Sequence, residues 1–375
     1  MRVGLNLIFL APGAGGTGTY VSELVASLLE LPDAPELVLF AGPDAPPEFR
    51  AQPWAGDVRW VDYPKGPDSR WNLLEIMLAI PARAARDRID VVHSPANVGP
   101  LLSPGTARVV TLRDLIWHHH PEGTGDTRVG RARVQILSVR SAKAAQRVIA
   151  FSEAAADDIV ATLGLPRERI DVTPLGTRAP ATARTPESEL RRRLELGDSG
   201  FVLSVAQKKP YKNLEVLIRA LPDLPPGTKL VLAGAPDADH EGTLWALAER
   251  CGVADRVRIP DWLPAEDVEA LYAAASCVAL PSFTEGFGLP VIEAMQRGAP
   301  VACSGRSALA EVAGDAALLF DPYDQRSISD ALARLVGDEE LRRRLAAAGR
   351  ERAASFTWER TAQATIASYE RAAAR

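Results

Sequence analysis

The sequence predicts an α/β protein of two Rossmann-like, doubly wound parallel-sheet domains facing each other across a cleft. Three observations carry this. The chain has 375 residues, 47% of them apolar, enough to build two cores rather than one. Short β-branched runs recur with helical stretches between them, and they are continuously apolar, as strands covered on both faces must be. The series occurs twice, on either side of a proline-containing stretch with little apolar periodicity.

The first series is 3–10, 37–40, 58–61, 91–93, 109–112 and 148–151, with a helix over 21–29 after its first strand. Between Pro174 and Gly200, where Pro180 and Pro186 interrupt the pattern, lies the boundary. The second series is 201–205, 230–233, 257–259, 277–280, 301–303 and 318–320, with a helix over 214–221. The expected domains are residues 1–178 and 179–356. Stretches 341–352 and 358–371 read as amphipathic surface helices, and 357–375 is expected to pack back towards the first domain. Ligands of open α/β sheets bind outside the carboxyl ends of the strands, so the site should be shared by both domains.

Composition narrows the function. A net charge of -5 with 24% charged residues gives no basic field for binding nucleic acid. The apolar run 3–10 is too short to span a bilayer and ends at Pro12-Gly13, so neither a signal peptide nor a transmembrane segment is expected. Cys251, Cys277 and Cys303 show no CxxC spacing and read as reduced core thiols of a cytoplasmic protein. Arg128, Arg131, Arg133, Arg140, Lys143 and Arg147 lie in one helical stretch. It reads first as a solvated helix face, and otherwise suits an anionic acceptor or peripheral contact with the inner membrane face. The segment from Trp71 to Leu78 reads as a core helix rather than an interfacial one.

The most informative segment is Ser282-Phe-Thr-Glu285-Gly286-Phe287-Gly288-Leu289-Pro290-Val-Ile-Glu293, directly after an expected strand. Its glycines allow close approach of backbone to a ligand, and Pro290 is placed as the first helical residue, so the amides of Gly288 and Leu289 form an anion-attracting helix start. Glu293 can reach a ribose diol, and Glu285 can accept hydrogen bonds from sugar hydroxyls. Two glutamates eight positions apart around Gly-Phe-Gly-Leu-Pro, followed by Gly298-Ala-Pro300-Val301, resemble the signature of family-4 retaining glycosyltransferases, which have the GT-B fold.

The segment Gln207-Lys208-Lys209-Pro-Tyr211-Lys212-Asn213 resembles that family's diphosphate-neutralising stretch, with Lys212 matching its lysine. An ammonium there offsets the charge of a leaving diphosphate without a metal. Ala206 stands where glycine is commoner, and Gln207 or Tyr211 where arginine is commoner; Lys208 or Lys209 either replaces that cation or belongs to a solvated charge run. The glycine-rich turn from Gly13 to Tyr20 has neither P-loop lysine nor dehydrogenase spacing. The resemblance implies that Gly15, Gly16 and Thr17 face the donor diphosphate.

His93-Ser94-Pro95-Ala-Asn97 resembles the family's acceptor-side loop. Arg113-Asp114-Leu-Ile-Trp117-His118-His119-His120-Pro-Glu122 resembles a second loop in which histidine is frequent where Arg113 stands. The three histidines diverge along the chain and have no zinc spacing, so no metal is expected; one of them should face the acceptor.

The resemblance therefore implies a hexosyltransferase moving a sugar from a UDP- or GDP-linked donor to a carbohydrate, lipid-linked or small-molecule acceptor. The anomeric configuration would be retained by front-face attack, with no cofactor. Lys212, Glu285 and Asp114 are the expected catalytic residues. Gly15, Gly16, Thr17, Gln207, Lys208, Trp262, Leu263, Ser282, Gly286, Phe287, Gly288, Leu289 and Glu293 are expected on the donor, and His93, Asn97, Arg113, Trp117 and His118 on the acceptor. The same architecture also serves sugar-nucleotide epimerases, phosphorylases and non-catalytic nucleotide-sugar binders.

Overall fold

The computed structural model describes residues 1–10, 15–43, 45, 47–64, 72–121, 128–178, 180 and 184–374. The chain divides into two compact units. One comprises Met1–His119, Thr124–Gly176 and Thr357–Arg375, the other His120–Gly123 and Thr177–Phe356.

The first unit holds a seven-stranded sheet: β1 (Arg2–Leu7), β2 (Glu36–Ala41), β3 (Arg59–Asp62), β4 (Val91–Ser94), β5 (Ala107–Thr111), β6 (Arg147–Ala150) and β7 (Ile170–Val172), in the order β3-β2-β1-β4-β5-β6-β7. Every pairing is parallel. The expected first strand runs three residues too far, because a turn in which Leu10 N donates to Leu7 O at 3.0 Å closes it early. Strand β7, three residues long, was not anticipated. Strand order reverses between β1 and β4, the switch point at which such sheets bind ligands.

Helix Trp358–Ala373 belongs to this unit. Thr357 caps it, and Thr361 Oγ1 donates to Pro174 O at 2.7 Å. Further along, Ser368 Oγ and Arg371 reach Asp171 at 2.7 and 2.8 Å. Burial would raise the Asp171 carboxyl, but Arg147, Ser368 and Arg371 together hold it below the usual range. Of the segment expected as core helix, Ile76 is buried while Leu74 and Leu78 stay exposed, so only one face serves the core.

The second unit holds a six-stranded sheet: β8 (Phe201–Val205), β9 (Lys229–Ala233), β10 (Val257–Arg258), β11 (Cys277–Leu280), β12 (Val301–Ser304) and β13 (Ala317–Phe320), in the order β10-β9-β8-β11-β12-β13. It too is parallel throughout. Its core joins Val202, Leu230, Leu232, Cys277 and Ala302 from the strands to Leu217, Leu244 and Leu332 from the covering helices. Here the switch point falls between β8 and β11. All three cysteines are free, and burial pushes the thiols of Cys277 and Cys303 up to about 12.

Candidate active site

In the second unit the loops that leave β8 and β11 meet at the switch point. Asn213, in left-handed conformation with φ 56°, donates from Nδ2 to Pro281 O at 3.2 Å and Pro322 O at 2.9 Å. Phe283 N donates to Tyr211 O at 3.0 Å. These ties bring two charged side chains together: Lys212 Nζ donates to Glu285 Oε1 at 2.5 Å. Ser282 Oγ donates to the same oxygen at 2.7 Å, and the Glu285 amide donates to Ser307 Oγ at 3.1 Å. Both charged side chains are largely buried, 13% and 10% exposed. Low water content strengthens charge-assisted hydrogen bonds of this kind. An ammonium and a carboxylate so placed can meet a ligand with both anionic and hydroxyl groups.

Helix Leu289–Gln296 starts where this loop ends, so Pro290 is its second residue rather than its first. Gly288 takes φ 104°, and a Cβ there would lie 2.4 Å from Leu309 Cδ2, so only glycine fits. Phe287 does not serve as a donor contact through its ring, which is buried edge-on against Phe356 at 5.7 Å. Glu293 Oε2 accepts from the Tyr272 hydroxyl at 3.1 Å. Burial pushes the Glu293 carboxyl up, against the opposing pull of Arg297. Arg297 itself is locked by Glu269, with Nε to Oε2 at 2.7 Å, and donates to Glu293 O at 2.9 Å.

The lysines of the β8 loop have separate fates. Lys209 pairs with Asp237 at 2.5 Å. Lys208, expected on the donor, is fully buried; its ammonium donates to Gly234 O and Pro260 O and pairs with Glu241. Two hydrogen bonds and an ion pair thus hold the ammonium inside the unit, away from a diphosphate. Gln207 is exposed, Trp262 is 74% exposed on the loop after β10, and Leu263 is half-buried.

In the first unit, Gly15 and Gly16 lie exposed at the start of helix Gly15–Leu29. The Arg113 guanidinium donates to the Thr17 hydroxyl, so these two expected site residues do converge. Asp114 Oδ1 accepts from Ile116 N, the first residue of the short helix Ile116–His119, at 3.1 Å. Asn97 stands in left-handed conformation with φ 47°, and its backbone N–H donates to Thr111 O at 3.0 Å.

Two acceptor assignments are corrected. His93 is fully buried, with Nδ1 2.7 Å from the Tyr369 hydroxyl and Nε2 2.8 Å from Thr111 Oγ1. Burial drives its pKa down to about 3, so it is a neutral core residue with both nitrogens satisfied. Trp117 packs with Val110, Leu115 and Ile159 in the core. The three histidines diverge: His118 is exposed beside Trp117, His119 bonds Asp158 at 2.9 Å, and His120 stacks on Phe283 at 5.7 Å. Among the described residues no three His, Cys, Asp or Glu side chains gather as a metal site. Gly13, Trp71 and Glu122, and the side chains of Arg128 and Arg131, lie outside the described residues.

Sequence reasoning missed Asn213 as the tie between loops, Ser307 under the Glu285 amide, and the Tyr272 and Arg297 side chains around Glu293. Only Arg297 carried a usable signal, four residues after Glu293 on an expected helix. The others depend on residues distant in sequence.

Residues 187–352 match the family model of glycosyl transferases group 1, and residues 15–176 match the glycosyl transferase 4-like domain. A D-inositol 3-phosphate glycosyltransferase from Xylanimonas cellulosilytica is 31% identical over 396 residues, covering 96% of this chain and 93% of that protein. O-antigen chain mannosyltransferase B from Escherichia coli is 34% identical over 236 residues, covering 61% of this chain and 62% of that protein. Among solved structures, Anabaena HepE in complex with UDP-glucose is similar with a TM-score of 0.77 at 20% identity, covering 98% of this chain and 100% of that one. Sucrose-phosphate synthase from Thermosynechococcus elongatus is similar with a TM-score of 0.76 at 21% identity, covering 99% and 98%. The chain belongs to the group 1, family-4 glycosyltransferases and has their GT-B fold of two parallel-sheet α/β domains.

Proposed function

We propose that this glycosyltransferase moves a hexose from a UDP- or GDP-sugar to an acceptor hydroxyl with retained anomeric configuration and without a metal ion. The observation that carries the reading is the convergence of Lys212, Glu285 and Ser282 at the switch point of the second sheet, where ligands of such folds bind. Lys212 would stabilise the departing diphosphate, Glu285 would hold hydroxyls of the transferred sugar, and Glu293 the ribose. The helix start at Gly288 and Leu289 would add its dipole to the phosphate side. In a front-face reaction the bond from the anomeric carbon to the phosphate oxygen breaks. The acceptor oxygen then bonds on the same face, and its proton passes to a donor phosphate oxygen.

In this reading Gln207, Trp262 and Leu263 belong to the nucleotide side, and Gly15, Gly16 and Thr17 to the diphosphate. Asp114, Asn97, Arg113 and His118 serve the sugar and acceptor. The curated relatives act on inositol phosphate or an O-antigen chain by their names, which supports a polyol, glycan or lipid-linked acceptor.

A peripheral contact with a membrane at its inner face fits one surface of the first unit. Ile136 is 52% exposed on helix Arg128–Ala144, which also carries the basic Arg133, Arg140 and Lys143; Arg133 reaches Asn72 Oδ1 at 3.5 Å, six residues before Leu78, itself 64% exposed. Among the described residues no helix is long and apolar enough to cross a bilayer.

Thermal melting with UDP, GDP, ADP and their hexoses tests the donor assignment. Ligand at a hundred times its Kd stabilises the fold by about 2.7 kcal/mol, so a UDP or GDP compound should raise the melting temperature by several degrees. No rise with any of them would overturn the proposal.

A further inference from the structure

Lys208 is the member of the β8 loop whose surroundings define a role that the proposed chemistry does not use. Its ammonium is buried, and its partners come from three separate elements. It donates to Gly234 O at 3.0 Å, where β9 ends, and to Pro260 O at 3.2 Å, after β10, and it forms an ion pair with Glu241 Oε1 at 3.1 Å, on helix Ala238–Arg250. Taking an ammonium out of water is unfavourable, and an apolar side chain of equal length would fill the same space with less penalty. What an apolar chain cannot do is hold two carbonyls at fixed positions.

The attachment points are themselves rigid. Gly234 sits at φ 125° with its Cα so near the β8 loop that a Cβ would lie 2.1 Å from Ala206 O. Lys208 N donates to Ala235 O at 3.3 Å, and Ala206 N to Ala233 O at 2.9 Å. Lys209 adds a second tie, to the Asp237 carboxylate that caps helix Ala238–Arg250. On the far side of the tie, Pro260 is two residues before the exposed indole of Trp262.

We infer that Lys208 is a positioning residue. By tying Gly234 and Pro260 together it fixes the loop that carries Trp262 in the place where the donor's nucleoside lies. The nucleoside part rests on the proposed function; the tie itself rests on the hydrogen bonds alone.

The test uses Lys208→Met, which keeps the length and removes the donors, read by two measurements. The first is amide hydrogen exchange in the protein without nucleotide, over residues 233–236 and 259–264. The expected result is about tenfold faster exchange there, with the first unit unchanged. The second is affinity for UDP and GDP with the accompanying kinetics. KM for the donor should rise about tenfold while kcat stays within about twofold.

Unchanged exchange in both segments would overturn the tie. A fall in kcat as large as that of Lys212→Ala would overturn the positioning role, since it would put the ammonium on the reacting groups. If Lys208→Met does not fold, Lys208→Gln, whose shorter chain cannot carry its two N–H donors to both carbonyls, should give the same pattern at about threefold size; no change there overturns the tie as well. Failure of the unsubstituted protein to bind any nucleotide would overturn the proposed function and the nucleoside half of this inference. The exchange measurement reads the tie independently of that result.

Discussion

Both units place motif residues beside the switch point of a parallel sheet, yet their charged and polar side chains behave differently. In the second unit the marked residues converge on one point: Lys212, Ser282 and Glu285 share a single carboxylate oxygen. In the first unit several marked residues hold the fold instead. His93 joins Thr111 to the helix bearing Tyr369, and Trp117 fills core. A motif residue at the end of a buried strand can serve the core as readily as the ligand. Which it does depends on partners elsewhere in the chain.

This contrast predicts that substitutions at the convergent residues of the second unit cost turnover and those at His93 and Trp117 of the first cost stability. The largest effect is expected for Glu285→Gln, which weakens hydroxyl recognition and removes the partner charge of Lys212. Transfer should fall by about 10²- to 10³-fold, or about 3 to 4 kcal/mol of transition-state stabilisation, with cooperative melting retained. Next is His93→Phe, which strands the buried Tyr369 hydroxyl, leaves Thr111 with Tyr20 alone, and should cost about 2 to 3 kcal/mol of stability while the folded protein keeps its specific activity. Loss of turnover without loss of stability there would erase the contrast.

The pH response separates the units further. The pKa of His93 lies near 3 in the folded chain against 6.5 for the free group. The unfolded state therefore binds the extra proton between those values, and stability falls as pH drops through that window. From pH 6.5 to 5 the loss is about 2 kcal/mol at about 1.4 kcal/mol per unit, and His93→Gln should flatten that slope in urea titrations. The smallest effect is expected for Thr17→Val, which removes the hydroxyl that accepts from Arg113. About 1 kcal/mol of stability should be lost.

Much of the fold was legible because buried parallel strands announce themselves as continuous apolar runs. Even so, β7 was too short to register, and β1 ended early at a turn that no run of apolar residues marks. In the site, Lys212 and Glu285 were legible because their surrounding segments are long and local. Lys208 was not, because three lysines in a loop read alike until the carbonyls of Gly234 and Pro260, 26 and 52 residues away, close around one of them. His93 misled for the same reason: its partner Tyr369 lies 276 residues downstream, and nothing near His93 foretells it.

The most direct test of the central claim is the rate of hexose transfer by Lys212→Ala, measured with whichever UDP- or GDP-hexose stabilises the unsubstituted protein and recorded beside its melting temperature. At least about a hundredfold loss is expected, at a melting temperature within a few degrees of the unsubstituted protein. Undiminished transfer by a folded Lys212→Ala protein would remove Lys212 from the chemistry.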